Sequence, residues 1–201
     1  KILRRFGAML GDGVQVFTPY GATESLPVCN VGSAEVLSLD RTGICVGRPA
    51  PGVSVSIMAI SDEVVPSVDA SLPVGEVGEV LVAGPNVTLA YHLRDKATAL
   101  AKTLWNGRPA HRMGDLGWFD DQGRLWFAGR KAHRVPLFDR VLFSVCVEEV
   151  FNTHPEVYRT ALVSVSGEAV LCVELEPGVT PNEALTAALL DLGRRDPLDT
   201  G

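Results

Sequence analysis

Paired cysteines, long apolar runs and clustered basic charge are all missing from this 201-residue chain, and each absence closes off a class of protein. The four cysteines, Cys29, Cys45, Cys146 and Cys172, are far apart, with no CxxC pair and no Cys/His spacing suited to zinc. Three sit in apolar stretches, so they read as small buried hydrophobes in a reducing compartment and not as a disulfide framework. No apolar run approaches the roughly 20 residues needed to span a bilayer, and no secretory signal stands out; a cytoplasmic location is expected. The formal net charge of -6 argues against a nucleic-acid surface, which needs clustered Lys and Arg. A serine-centred nucleophile elbow, a phosphate loop and an HExxH pair are absent too. His92, His111, His133 and His154 have no mutual spacing that suggests a zinc site, and His154 beside Pro155 reads as a helix stop. The chain opens on Lys1-Ile2-Leu3 without an initiator methionine and closes on Asp199-Thr200-Gly201, so it reads as a piece of a longer protein.

What is present is ample apolar content, 46% of residues, enough to pack a core. Residues 1–10 place Ile2, Phe6, Met9 and Leu10 on one helical face, and Gly11-Asp12-Gly13 ends that helix. Val14-Gln15-Val16-Phe17-Thr18-Pro19 reads as a buried strand stopped by proline, followed by a turn at Tyr20–Glu24. Residues 30–52 read as loop and short edge strands. Strands are expected at residues 53–57 and 79–83, with a surface excursion over 61–73 between them. Asp95 is a candidate N-cap for a helix running to about Trp105. Gly117-Trp118-Phe119 and Arg124-Leu125-Trp126-Phe127 flank a hairpin turn at Asp120–Gly123. Lys131-Ala132-His133-Arg134 reads as a linker. Beyond it come a short helix from Val147, a hairpin about Ser166-Gly167-Glu168, and a helix with a capping box at Thr180-Pro181-Asn182-Glu183. The predicted class is mixed α+β, in two parts: residues 1–130, rich in strands, and residues 131–201, a small α+β module.

Three polar stretches could carry chemistry. Tyr20-Gly21-Ala22-Thr23-Glu24 offers a ring for a flat heterocycle, a glycine for close backbone approach, a hydroxyl for phosphate and a carboxylate for a hard cation. It also fits an ordinary polar turn at a strand end. In His111-Arg112-Met113-Gly114-Asp115-Leu116-Gly117, the aspartate between two glycines can present its carboxylate to a diol, or can close an Asx turn. Gly129-Arg130 can hold phosphate or ribose oxygens, or be a solvated arginine. Trp105, Trp118 and Trp126 read as core or interface residues, and Glu148-Glu149 as an exposed helix face.

Together these stretches resemble the second half of the AMP-forming adenylating superfamily of acyl-CoA synthetases, peptide-synthetase adenylation domains and luciferases. The family's YGxTE motif stands as Tyr20–Glu24. Its GExG…GxY block runs from Gly75-Glu76-Val77-Gly78 through Gly84 to Tyr91, its TGD block is Met113-Gly114-Asp115, and its GRxD hinge block begins at Gly129-Arg130. The resemblance implies the β-rich end of the large adenylating domain over residues 1–130 and a partial C-terminal lid over 131–201, both incomplete. It implies ATP/AMP and Mg²⁺ as cofactors. Tyr20 and Gly21 would lie against adenine, Thr23 would touch the phosphate, Glu24 would help hold Mg²⁺, Asp115 would bind the ribose hydroxyls and Arg130 ribose and phosphate. Thr23 and Glu24 would be the catalytic pair.

The chain departs from the family pattern where Met113 replaces Thr or Ser, where Ala132 takes the hinge aspartate's place, and where Pro136-Leu137-Phe138-Asp139-Arg140 replaces a glycine-rich loop. The family's phosphate loop and catalytic lysine would fall outside the chain, so the piece by itself is expected to be inactive. His111–Asp115, Gly129–Val135 and Phe151-Asn152-Thr153-His154-Pro155 are most similar to olefin-biosynthesis β-lactone synthetases. That implies a long-chain β-hydroxy acid as substrate and no requirement for CoA. A fatty-acyl-CoA ligase, a peptide-synthetase adenylation domain and a non-catalytic nucleotide-binding module are the alternatives.

Overall fold

The computed structural model describes residues 2–11, 13–39 and 43–194, and its strand-rich mixed α+β class agrees with the sequence. Asp12 of the expected helix stop and the Asp199–Gly201 end lie outside the described residues. The chain forms two compact units, Lys1–Asp40 with Cys45–Phe127, and Arg41–Ile44 with Ala128–Gly201.

The first unit contains, in order, α1 (Ile2–Gly7), β1 (Phe17–Ala22), β2 (Ser25–Gly32), α2 (Ser33–Ser38), β3 (Ile44–Pro49), β4 (Ser54–Met58) and β5 (Ser67–Val68). It continues with β6 (Gly78–Ala83), α3 (Asp95–Ala101), β7 (Lys102–Trp105), β8 (Arg108–Phe119) and β9 (Leu125–Arg130), whose last three residues pass into the second unit. Among the described residues these strands make one sheet in the order β1-β2-β3-β9-β8-β6-β4, with β7 branching from β8 and carrying β5.

The most deeply buried strand is β6, which lies between β8 and the edge strand β4. Val80 and Val82 pack with Val28, Cys29, Ile57, Met113 and Leu125, while Leu81 and Ala83 pack with Met58, Val68 and Ala110 on the other side. A strand covered on both faces reads as a continuous apolar run, as Val80–Ala83 does. Trp118 and Trp126 are buried and stacked, ring centroids 5.9 Å apart. The indole N–H of Trp126 donates to Asp120 Oδ2 at 2.8 Å, and the same carboxylate caps the β8–β9 turn by accepting from the Gln122 and Arg124 amides.

Several expected boundaries moved. The stretch from Val14 to Phe17 is not buried: Phe17 is 60% exposed, because β1 is an edge strand whose pairing is with β2 alone among the described residues. The strand also runs through Pro19 to Ala22, which an edge position permits. Phe6 and Met9 of the expected apolar helix face are exposed as well. Residues 30–52 contain a helix, α2, and a full strand, β3. The helix expected to reach Trp105 stops at Ala101, with Arg94 and not Asp95 at its N-cap, and Lys102–Trp105 pairs antiparallel with β8 instead. Met113, the departure from the TGD pattern, fills core space.

Among its described residues the second unit holds a 3₁₀ turn (Lys131–His133), then β10 (Val135–Pro136), β11 (Val141–Leu142), α4 (Ser144–Asn152), β12 (Val157–Val165), β13 (Glu168–Leu175) and α5 (Glu183–Leu192). Two expectations are corrected here. The cap of α5 is Asn182, whose side chain accepts from the Leu185 amide, so no box forms on Thr180. Glu148 is half-buried and accepts the Leu162 amide at 2.9 Å, tying α4 to β12. Burial raises its pKa, the Leu162 bond only partly opposing this.

Candidate functional site

The YGxTE-like stretch crosses the β1–β2 hairpin. Tyr20 pairs with Cys29 and Ala22 with Ser25, so β2 accommodates three residues where β1 has only Gly21. A Cβ at Gly21 would meet the Ser25 carbonyl at 2.6 Å and Leu26 Cα at 3.2 Å, which is why the position has no side chain. Thr23 is exposed in the turn itself.

Asp115 reaches the same place by a second irregularity. The Asx turn that its flanking glycines allowed gives way to strand; the residue stands inside the long strand β8. There Leu81 pairs with Arg112 and Glu79 with Leu116, so Val80 alone opposes Met113, Gly114 and Asp115. Gly114 absorbs the bulge with φ of 65°. A bulge of this kind re-aims a side chain without ending the strand. The Tyr20 hydroxyl donates to Asp115 Oδ2 at 2.7 Å, joining residues 95 positions apart. The Tyr20 ring lies 6.3 Å from that of Phe127, tilted by 49°. Asp115 is 3% exposed.

The bulge is braced from behind by Arg112. Its guanidinium forms a 2.7 Å ion pair with Glu79 and donates to the carbonyls of Ser61, Glu63 and Leu100, with both partners of the pair fully buried. All five N–H donors are thereby used, as a buried arginine requires.

Glu24 sits at the turn beside a group of residues the sequence did not single out for the site. Tyr91 donates its hydroxyl to Glu24 Oε1 at 2.6 Å. The Thr88 amide donates to the Glu24 carbonyl at 2.9 Å, and Lys102 Nζ donates to Thr88 Oγ1 at 2.9 Å. The Lys102 ammonium stands over the Tyr91 ring, 5.6 Å from its centroid. The Tyr91 bond holds the Glu24 carboxyl below its usual range, while burial and that carboxylate push Tyr91 up to about 12, so the phenol stays a donor. Burial lowers the pKa of Lys102, with Glu24 opposing. His111 is buried and donates from Nδ1 to the Ala101 carbonyl at 3.1 Å; burial and the Lys102 charge push its pKa down. Tyr91 was visible in the sequence as the end of the GxY block, without a role. Lys102 gave no signal, because a lysine opening a strand looks like any surface lysine.

No group of three His, Cys, Asp or Glu able to hold a metal occurs among the described residues. A lone carboxylate such as Glu24 nevertheless fits Mg²⁺, which keeps most of its waters and uses one or two carboxylates together with substrate phosphates. Arg130 and Ala132 belong to the second unit, both exposed, with Arg130 ending β9 and Ala132 in the 3₁₀ turn. Gly129 has φ of 123°, and a Cβ there would meet Ser144 Oγ at 2.5 Å. The structure thus joins Tyr20 to Asp115 and Glu24 to Tyr91 within the first unit.

The profile of the AMP-binding enzyme family matches residues 1–92. The chain is 42% identical over 219 residues to an olefin beta-lactone synthetase of Xanthomonas campestris, a match covering all of this chain and 39% of that protein. The olefin beta-lactone synthetase of Stenotrophomonas maltophilia is 47% identical over 203 residues, 90% of this chain and 36% of its own length. An amide bond synthetase from Marinactinospora thermotolerans is similar in structure, with a TM-score of 0.69 at 30% identity, over 88% of this chain and 35% of that one. The chain therefore spans a little over a third of these proteins. The profile match at the first motif and the relatives aligned along the rest of the chain agree in making this chain similar to the AMP-binding enzymes, the AMP-forming acyl-activating family.

Proposed function

We propose that the whole protein activates a carboxylic acid with ATP and that the acid is a long-chain β-hydroxy acid, converted to its β-lactone. A substrate carboxylate oxygen attacks the α-phosphorus of ATP, and pyrophosphate leaves. The substrate's own β-hydroxyl, losing its proton, then attacks the acyl carbon, and AMP leaves as the ring closes. Neither step needs covalent help from protein; both need positioning and charge neutralisation. In this reading the Tyr20 ring covers adenine beside Gly21, Asp115 holds the ribose hydroxyls, and Arg130 contacts ribose and phosphate. Thr23 holds a phosphate oxygen, and Glu24 would hold Mg²⁺, whose charge offsets that of the phosphates. A hinge at Ala132 would let the residues from 131 onward act as a lid.

The observation that carries the nucleotide reading is the Tyr20–Asp115 hydrogen bond, which brings two separate family motifs into one place. The identity to olefin beta-lactone synthetases supports the choice of substrate. The hairpin β10–β11, closed by a Leu137-to-Arg140 hydrogen bond at 2.7 Å in place of a glycine-rich loop, supports a reaction without CoA.

The test is incubation of the full-length protein with ATP and a β-hydroxy fatty acid, with and without CoA. Lactone and AMP formed without CoA are the expected result. An obligatory thioester would make it a fatty-acyl-CoA ligase, and failure to consume ATP with any acid a non-catalytic nucleotide-binding module. Asp115→Ala removes a hydrogen-bonding charge, about 1.5–3 kcal/mol, and is expected to lower adenylation roughly tenfold or more. Unchanged activity would refute the ribose assignment.

A further inference from the structure

We propose that Tyr91 is a positioning and specificity residue for the metal: by holding Glu24 Oε1 in a hydrogen bond it leaves Oε2 the better placed oxygen to face a divalent cation. The proposal rests on the reading above that Glu24 lies at the ATP phosphates. The 2.6 Å hydroxyl–carboxylate bond spans 67 positions of sequence, so it is made by the fold and not by local chain geometry.

The tyrosine is itself fixed. Its amide donates to Thr98 Oγ1 at 3.0 Å, and its ring lies beneath the Lys102 ammonium. Lys102 is held by Thr88, whose amide returns to the Glu24 carbonyl, closing a ring of contacts around the glutamate. Every link in this ring bears on the glutamate, whose carboxylate takes the Tyr91 hydroxyl and also a hydrogen bond from its own amide. A long acidic side chain at a turn otherwise loses rotamer freedom when it binds a cation, and a fixed partner removes that penalty.

The choice of oxygen has a chemical consequence. A carboxylate with both oxygens open can bind bidentately, which suits Ca²⁺ with its 6–8 flexible ligands. A carboxylate with one oxygen already held in a hydrogen bond is biased toward binding through the other, which suits the strict octahedron of Mg²⁺ and Mn²⁺. Tyr91 therefore both orders the ligand and biases the site toward the smaller ion.

The experiment is Mn²⁺ titration of the full-length protein with a non-hydrolysable ATP analogue, read by electron paramagnetic resonance, with Ca²⁺ as competitor. Tyr91→Phe keeps the ring under Lys102 and removes only the hydroxyl. It is expected to raise the Mn²⁺ Kd about tenfold, within the range for loss of a partner behind a metal ligand, and to make Ca²⁺ a better competitor. Metal-free affinity for the analogue should stay within about twofold. A Mn²⁺ Kd unchanged in Tyr91→Phe, while Glu24→Gln abolishes uptake, overturns the proposal alone. Absence of Mn²⁺ uptake by the wild type, or uptake indifferent to Glu24→Gln, overturns the functional reading beneath it. Should Tyr91→Phe fail to fold, Lys102→Met and Thr98→Val loosen the tyrosine from behind and are each expected to raise the Kd roughly two- to fivefold. No change in either then overturns the proposal.

Discussion

The hydroxyl and the ring of Tyr20 have separate uses. The hydroxyl occupies Asp115 Oδ2, and the ring supplies a flat apolar face beside Phe127. If a ribose is to take that carboxylate, the phenol is a competitor for it and the ring is an asset. Tyr20→Phe is therefore expected to leave AMP affinity of the full-length protein within about threefold of wild type. Tyr20→Ala, which loses a base–aromatic stack of about 1–3 kcal/mol, is expected to weaken it roughly tenfold or more. Calorimetry with AMP separates the two; equal losses would mean that the hydroxyl and not the ring matters. The pair was legible only in part. Tyr20 and Asp115 each stood out by residue type within a motif, but their meeting depends on two bulges that no period in the sequence announces. Tyr91 was legible as a motif residue and Lys102 was not legible at all, since its role comes from the fold carrying β7 next to the Glu24 turn.

Elements fared according to how much of their character is local. The hairpins at Asp120–Gly123 and Ser166–Gly167 follow from turn residues between apolar runs, and both formed. The buried strand β6 was plain from Val80–Ala83. The helix α3 was expected to continue to Trp105 because Ala101 and Leu104 keep helical spacing, yet pairing with β8 outweighs that local preference from Lys102 onward. Burial of β1 was inferred from apolar content, which does not tell an edge strand from a central one. The buried pair behind the β8 bulge makes the strongest stability prediction at this scale. Arg112→Met strands the Glu79 carboxylate and three carbonyls together, and is expected to destabilise the fold by about 3–5 kcal/mol in urea titration. Adding Glu79→Leu removes the stranded charge but not the three orphaned carbonyls. The double variant should therefore recover only part of the loss; full recovery would show that those backbone bonds contribute nothing.

At the scale of the molecule, the two units carry opposite responses to acid. In the first, His111 has a pKa pushed below 6.5 by burial, so the unfolded chain takes up the proton first. Stability from His111 is complete above pH 6.5 and is lost as pH falls toward its lower folded value. Glu24 is held below 4.5 by the Tyr91 bond. Burial alone would raise Asp120, but bonds from Trp126 and Arg124 outweigh it and hold the carboxyl below 3.8. Both contributions persist above those values and vanish as pH falls through the depressed folded ones. In the second unit Glu148 is raised above 4.5 by burial, so its contribution is full below 4.5 and is lost as pH rises through the folded value. The three tryptophans, Trp105, Trp118 and Trp126, all belong to the first unit, so their fluorescence reports that unit alone. The melting midpoint followed by tryptophan emission should fall by a few degrees from pH 7.5 to 5.5, on the order of 4 °C for each kcal/mol lost. His111→Gln should flatten that fall, and a slope identical to wild type would exclude His111 as its source. Glu148→Gln, which keeps an oxygen for the Leu162 amide but removes the charge, should stabilise the protein at pH 7.5 and lose its advantage by about pH 4.5, where the wild-type carboxyl is protonated as well.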